Sequence, residues 1–567
     1  MKARTIALMS LTALLLCGMC ICVSGDGESD VSADSSNAAV IVGTGTEYST
    51  LEDAVSLNSG KFTIRMLRDV SDVGKIRITD GKDVTVDLNG KTIEFASDCY
   101  FLIDNGSLEL TGDGIVTEKA GDYYYAPVML KGSADAEDYS VLTVGSGIEL
   151  RGWAGIFIDQ NDGNNSGIKV DFAGKAVSGK DRGGDNGNAI YVNGLIVDTS
   201  AHVPEITIRP GAVVDGADGM GIYAAGYAIW NIDGATITGD TAIEIRAGEM
   251  DVINSTIVGN GTPTTVTPNG NGSTTDGAGI AVAQHTTELA IIVSVDSSSV
   301  SGFTALYESN PQENLPGAIS KVSVSVKGGE FSAINGGTNA VHSDDCTEFI
   351  SGGIFSSSPN ATYIAGECTT SLISGKYCVS SVSSPGGTVS GNSTIVEAGS
   401  SATSTVILPS ASVSISGSDS LGDVFISATP KTFSEAPDAI ASYEITIVSG
   451  VSYTADITVA ADIARGFVPL VYYIDDDGNL VPVEVVSYTS TTVTFRTTHT
   501  TPFVVMTEAE PTVTPGYDDD EDDMPYVPPT VVSNSKNDST TTIVACAAAA
   551  VAAAMIAAFL LIDGRKP

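Results

Sequence analysis

Three groups of side chains have the types and spacing that glycosidic or proton-transfer chemistry uses: Asp159 with Asp162, Asp181 with Asp185, and His342 with Asp344 and Asp345. Two carboxylates facing one bond can divide the roles of acid and base, and a carboxylate beside an imidazole can orient it as a general base. Each group lies among Gly, Asn and Ser, where Asp also serves as a turn residue. Glu244 and Arg246 alternate on one face and read as an exposed cross-rung pair. Trp153 with Tyr123, Tyr124 and Tyr125 reads either as a sugar-stacking platform or as corner packing. Asp475-Asp-Asp-Gly-Asn479 looks like a calcium loop but lacks the remaining ligands, so it reads as a hairpin turn. No catalytic residue, metal ligand or cofactor site is assigned from these patterns.

The elements that must carry these residues are repeats. Gly234-Ala-Thr-Ile-Thr-Gly239 returns as Asn254-Ser-Thr-Ile-Val-Gly259, and related phrases occur at Ser107–Gly112, Gly147–Gly152, Gly174–Gly179, Gly211–Gly216 and Ser297–Gly302. Short β-branched runs recurring at a period of about twenty residues predict a solenoid, here a parallel β-helix. Alternation puts Ile237, Ile243, Ile245 and Ile257 in the core and Thr236, Glu244 and Arg246 toward solvent. A capping pattern at Ser49-Thr-Leu-Glu52 predicts a short helix covering the first rung, with Leu51, Ala54 and Val55 on its inner face.

The predicted class is all-β: a parallel β-helix followed by a β-sandwich domain, with one C-terminal transmembrane helix. The chain divides into a signal peptide (1–25), a leader (26–48), the capped β-helix (49–402), the sandwich (403–507), an acidic Pro/Ser/Thr linker (508–540), a transmembrane helix (541–563) and a short tail (564–567). Arg565 and Lys566 after the apolar run predict a single-pass protein with its N-terminus outside the cell membrane. A net charge of −42 with only 27 Lys plus Arg excludes nucleic acid and anionic lipid as partners. Sequons begin at Asn105, Asn164, Asn254, Asn260, Asn271, Asn360, Asn392 and Asn537. Cys368 and Cys378 flank the short segment Ser371-Leu-Ile-Ser-Gly375 and are the predicted disulfide, with Cys346 competing for Cys368 and Cys99 too far along the axis to join.

The order Thr50-Leu-x-x-Ala-Val55, Thr63-Ile-x-x-Leu-x-Asp-Val70 and Val86-Asp-Leu-Asn-Gly-Lys-Thr-Ile93 resembles the opening of pectin-lyase-like β-helices in prokaryotic surface proteins, many of them adhesin-like and common in methanogenic archaea. Gly352-Gly-Ile-Phe-Ser356 is similar to their closing phrase, and the segment around Val471-Tyr-Tyr-Ile-Asp475 and His499 resembles a stalk module of such proteins. The resemblance implies a membrane-anchored extracellular adhesin or envelope protein that binds surface glycans or other cells without catalysis. The alternative is a cell-surface polysaccharide lyase or glycoside hydrolase. The phrases Asn-Thr-Asp, Gly-His-Gly and Arg-Ile-Lys of polygalacturonases are absent.

Overall fold

The computed structural model describes residues 36–132, 139–159, 167–193, 203–263, 277–433, 435–475, 477–500 and 502–510. Three sheets wind round one core, the first running through Ile229–Asp233, the second through Thr236–Gly239 and the third through Thr241–Ile245. From Lys61–Met66 to Val341–Ser343 their strands pair in parallel, each with the equivalent strand one rung away. Thr236 lies opposite Thr256 and Ile237 opposite Ile257, so the repeated phrase is one rung of the coil. Ile237, Ile243, Ile245 and Ile257 are buried, as alternation requires, and Thr236 is exposed. Beneath the first sheet Ile206, Trp230, Met250 and Val293 stack in register, one side chain per rung. The corner from the first to the second sheet needs left-handed backbone: Gly234, Asn254 and Ser297 have φ of 62°, 53° and 48° on successive rungs.

The N-terminal cap forms with a shift. Helix α1 (Leu51–Ser56) buries Leu51, Ala54 and Val55, but its N-cap is Thr50, whose hydroxyl accepts the Asp53 N–H at 3.1 Å. Glu52 reaches away from the helix and accepts the Gly74 N–H at 2.6 Å, which ties the cap to the adjacent rung.

From the hairpin Cys368–Ile373 with Lys376–Ser383 the pairing turns mainly antiparallel, and from Ser393 it forms two sheets that enclose a second core built from both, including Ile426, Ile445, Ile457, Phe495 and Phe503. Strand Leu480–Tyr488 pairs with Phe467–Ile474 of one sheet and Thr492–Thr497 of the other. This module rests on the corner between the first and second β-helix sheets, where the Ser297 hydroxyl bonds the Thr429 hydroxyl at 3.1 Å and Ile354, Cys378 and Phe425 share an apolar cluster.

Several expectations are corrected. Among the described residues no helix is long and apolar enough to cross a membrane. The apolar run 541–563 lies outside them, as do the signal segment 1–25 and most of the linker 508–540. The transmembrane helix, the membrane as a partner and the single-pass placement are therefore not retained. The predicted disulfide is not formed: Cys368 stands opposite Ser381 and Cys378 opposite Ser371, three positions out of register, and Cys99, Cys346, Cys368 and Cys378 are all free. Three residues of strand are about 10 Å, beyond the Cα separation a disulfide bridges.

Candidate active site

The outer face of the third sheet departs from the polar surface that a solvated strand row normally presents. One outward position per rung runs Phe157, Tyr191, Tyr223, Glu244, Ala281, Tyr307, His342, each opposite the next in the parallel register. Phe157 and Tyr191 have ring centroids 4.9 Å apart, Tyr191 and Tyr223 stack at 5.3 Å, and Tyr307 stacks on His342 at 5.0 Å. Aromatic rings thus flank Glu244 from both directions along the axis, with the small Ala281 on the rung beside it.

Glu244 and Arg246 do not face water: both side chains are 0% exposed, with Arg246 Nη1 3.8 Å from Glu244 Oε1. Alternation correctly puts them outside the coil, but other parts of the chain cover them, which no strand pattern reports. Arg246 Nη2 donates to the Gln284 carbonyl at 3.3 Å, whereas its Nε and Nη1 have no hydrogen-bond partner among the described residues. Burial and the Glu244 carboxylate push the Tyr223 hydroxyl well above its ordinary value. His285 is shifted down, by burial and then by the charge of Arg246. Its Nδ1 accepts the Thr287 N–H at 3.2 Å, so the neutral ring carries its proton on Nε2. The cluster thus combines a carboxylate, a guanidinium and an imidazole held toward its neutral form.

Gln284 extends the network by donating to Asp345 at 2.9 Å and to Glu308 at 3.5 Å. Glu308 is buried and accepts the Ser343 hydroxyl at 2.6 Å and the Asp345 N–H at 2.9 Å, which pins the next corner. His342 Nε2 lies 3.0 Å from Asp344 Oδ1. Two of the three groups singled out in the sequence therefore share this face: His342, Asp344 and Asp345 at one end, and Asp159 toward the other, 3.9 Å from Lys131 and bonded by Asn193 at 3.2 Å. Asp162 lies outside the described residues. Asp181 is a turn residue, its Oδ1 accepting the N–H groups of Gly183 at 2.7 Å and Asp185 at 2.9 Å. Asp475 likewise accepts from Asp477 and Asn479. Among the described residues no group of three or more His, Cys, Asp or Glu could hold a metal ion.

Of the sequons, Asn260 is exposed and Asn105 half-buried at a corner. Asn254 donates its amide to Asp233 at 3.1 Å, Asn360 caps Thr362, and Asn392 lines a cavity where the antiparallel module meets the β-helix. Asn164, Asn271 and Asn537 lie outside the described residues.

Glu118 was not singled out in the sequence, although it follows Val116 by two and so points inward with it. Its Oε1 accepts the N–H groups of Tyr124 and Tyr125 at 3.1 and 3.0 Å, and its Oε2 accepts that of Trp153 at 3.1 Å. One carboxylate therefore fastens the aromatic corners of two successive rungs. Gln at this position must turn its NH₂ toward at least one of those donors, so Glu118→Gln is expected to cost about 1–3 kcal/mol in chemical denaturation. Desolvation raises the Glu118 pKa in the folded protein, outweighing the three backbone hydrogen bonds. A raised carboxyl contributes stability fully below its unfolded pKa and loses it as pH rises through the folded one. The wild type's margin over Glu118→Gln should therefore widen on acidification; a margin independent of pH would refute burial as the cause.

No protein family and no curated protein sequence matches the chain. Among solved structures the chain is similar to the crystal structure of the enzymatically active domain of bacteriophage CBA120 tailspike protein 4, at 10% identity and a TM-score of 0.22, over 75% of this chain and 63% of that one. The match spans less than two thirds of the tailspike domain, and a likeness this slight carries no argument about activity. It gives no support to an archaeal adhesin or to a stalk role for the antiparallel module. The reading of the chain as a membrane-anchored, non-catalytic binder is withdrawn: no membrane-crossing helix is found among the described residues, and Glu244 and Arg246, taken as a surface pair, are a buried ion pair.

Proposed function

We propose that the chain is a polysaccharide-cleaving β-helix enzyme that takes an extended glycan along the outer face of its third sheet. The observation that carries this reading is the buried Glu244–Arg246 pair set between aromatic rings on one outward row. Taking two charges out of water is costly, and the core beneath is complete without them, so their placement is better explained by chemistry than by stability. Successive rungs are about 4.8 Å apart, close to the length of one pyranose residue, so consecutive sugars can lie over consecutive rungs along the outward edges of the stacked rings of Tyr191 and Tyr307.

In this reading the glycan displaces the cover over the buried pair, after which Glu244 exchanges the proton of the glycosidic oxygen and Arg246 offers Nε and Nη1 to charge that develops beside it. The resemblance of the N-terminal motifs to pectin-lyase-like β-helices belongs with this activity. The test is to incubate the full chain with neutral and acidic polysaccharides and follow reducing ends and unsaturated products. At least one polymer should be shortened, the unsaturated product marking elimination and its absence hydrolysis. A chain that binds glycans but cleaves none of them would overturn the reading.

A further inference from the structure

A second constellation lies off the third-sheet row, on the corners that lead from the second sheet to the third. Three successive rungs build it. The first supplies Tyr123 and Tyr124, with the Arg182 guanidinium 4.4 Å over the Tyr124 ring. The next supplies Trp153, whose indole N–H donates to the Asn186 carbonyl at 3.2 Å. The third supplies Lys180 and Asn186, and Asn186 donates to the carbonyl of Asp218 on the following corner at 2.8 Å.

Beside the rings is a cavity of about 230 Å³ whose polar wall includes Lys180, Asn186 and Asp218, and whose remaining wall is mostly glycine. The glycines are needed for close approach: a Cβ on Gly179 would lie 2.6 Å from a Tyr123 ring carbon, and one on Gly187 would collide with the Trp153 carbonyl. Lys180 and Asp218 are 3.4 Å apart and both largely exposed, so the wall offers one donor and one acceptor group without net charge. Glu118 holds the backbone of the first two corners from beneath through three hydrogen bonds.

We propose that this corner is a binding site for a neutral pyranose unit, with Tyr123 and Trp153 meeting its C–H face and Lys180 and Asp218 its hydroxyls. Half-exposed aromatic faces next to a small polar recess provide the two contacts a sugar ring requires, stacking on one side and directional hydrogen bonds on the other. A uronate would place its charge against Asp218 as well as Lys180, so the balanced pair selects a neutral ring. The site does not depend on cleavage at Glu244.

Trp153 gives a direct readout, because the chain's other tryptophan, Trp230, is fully buried in the core. The full chain is titrated with cellohexaose, xylohexaose and chitohexaose while tryptophan fluorescence is followed. At least one should give a saturable change, weakened roughly tenfold or more in Lys180→Ala and in Tyr123→Ala. Lys180→Ala alters only an exposed pair, so its loss of binding is not explained by misfolding. No saturable change with any of the three overturns the proposal, as does binding that neither corner variant weakens.

Discussion

Glu244→Gln is expected to lower the turnover of glycosidic cleavage by roughly 10²–10⁴-fold while leaving KM within a small factor of the wild type. The substitution keeps the size and planarity of the side chain and removes only its capacity to exchange a proton. It also leaves the Arg246 guanidinium beside a neutral amide at a fully buried position, so some loss of stability accompanies it. The two effects separate cleanly. If Glu244 serves only to neutralise Arg246, the variant melts earlier but the folded fraction turns over normally. If Glu244 carries the proton, turnover per folded molecule collapses at temperatures well below the melting transition. Steady-state rates on the polymer that the wild type degrades, normalised to the folded fraction by circular dichroism, decide between them.

Much of the coil was legible in the sequence because a solenoid repeats its own instructions. The alternation that put Ile237 and Ile257 inside also gave their register, since each rung pairs only with its neighbours. The capping residue was misplaced by one position because Ser49 and Thr50 both satisfy the pattern, and only the fold supplies Gly74 as the partner that draws Glu52 away. The cysteine pairing failed for a related reason. The turn at Ser374 and Gly375 makes Ile373 the partner of Lys376, and that register leaves Cys368 and Cys378 three positions apart across the hairpin.

The site was less legible, and in a particular way. Periodicity assigns inside and outside, and it assigned Glu244 and Arg246 outside correctly. It carries no information about what else in the chain lies over an outward face, so an ion pair with 0% exposure read as a solvated one. Glu118 and Glu308 present the opposite case. Each follows an inward apolar residue by two, Val116 and Leu306, so parity alone marks them as carboxylates forced inward at a strand's end. Such a carboxylate needs backbone donors, and the corner amides at Tyr124, Tyr125 and Trp153 for one, and at Asp345 for the other, are where the structure places them. A scan for acids at inward parity would have found both.

Arg246→Met is expected to destabilise the fold by about 3–5 kcal/mol, and the double variant Glu244→Gln/Arg246→Met to regain most of that loss. Methionine replaces the aliphatic stem, so the packing against neighbouring side chains is largely kept and the penalty isolates the charge. In the single variant the Glu244 carboxylate stays in its fully buried position without the Arg246 guanidinium, and that cation no longer offsets the solvation it gave up on folding. Making residue 244 neutral as well removes the buried charge itself, which is why the two changes should be strongly non-additive. In a Trp153→Phe background Trp230 is a suitable local reporter for urea denaturation, because its strand Ile229–Asp233 belongs to the same turn of the coil as Thr241–Ile245. In a solenoid, damage to one rung is felt first by that rung and its neighbours, so the Trp230 transition should shift further than the loss of total β-signal. An Arg246→Met chain as stable as the wild type would mean that the pair is not held as separated charges, and the case for a chemical role at this position would fall with it.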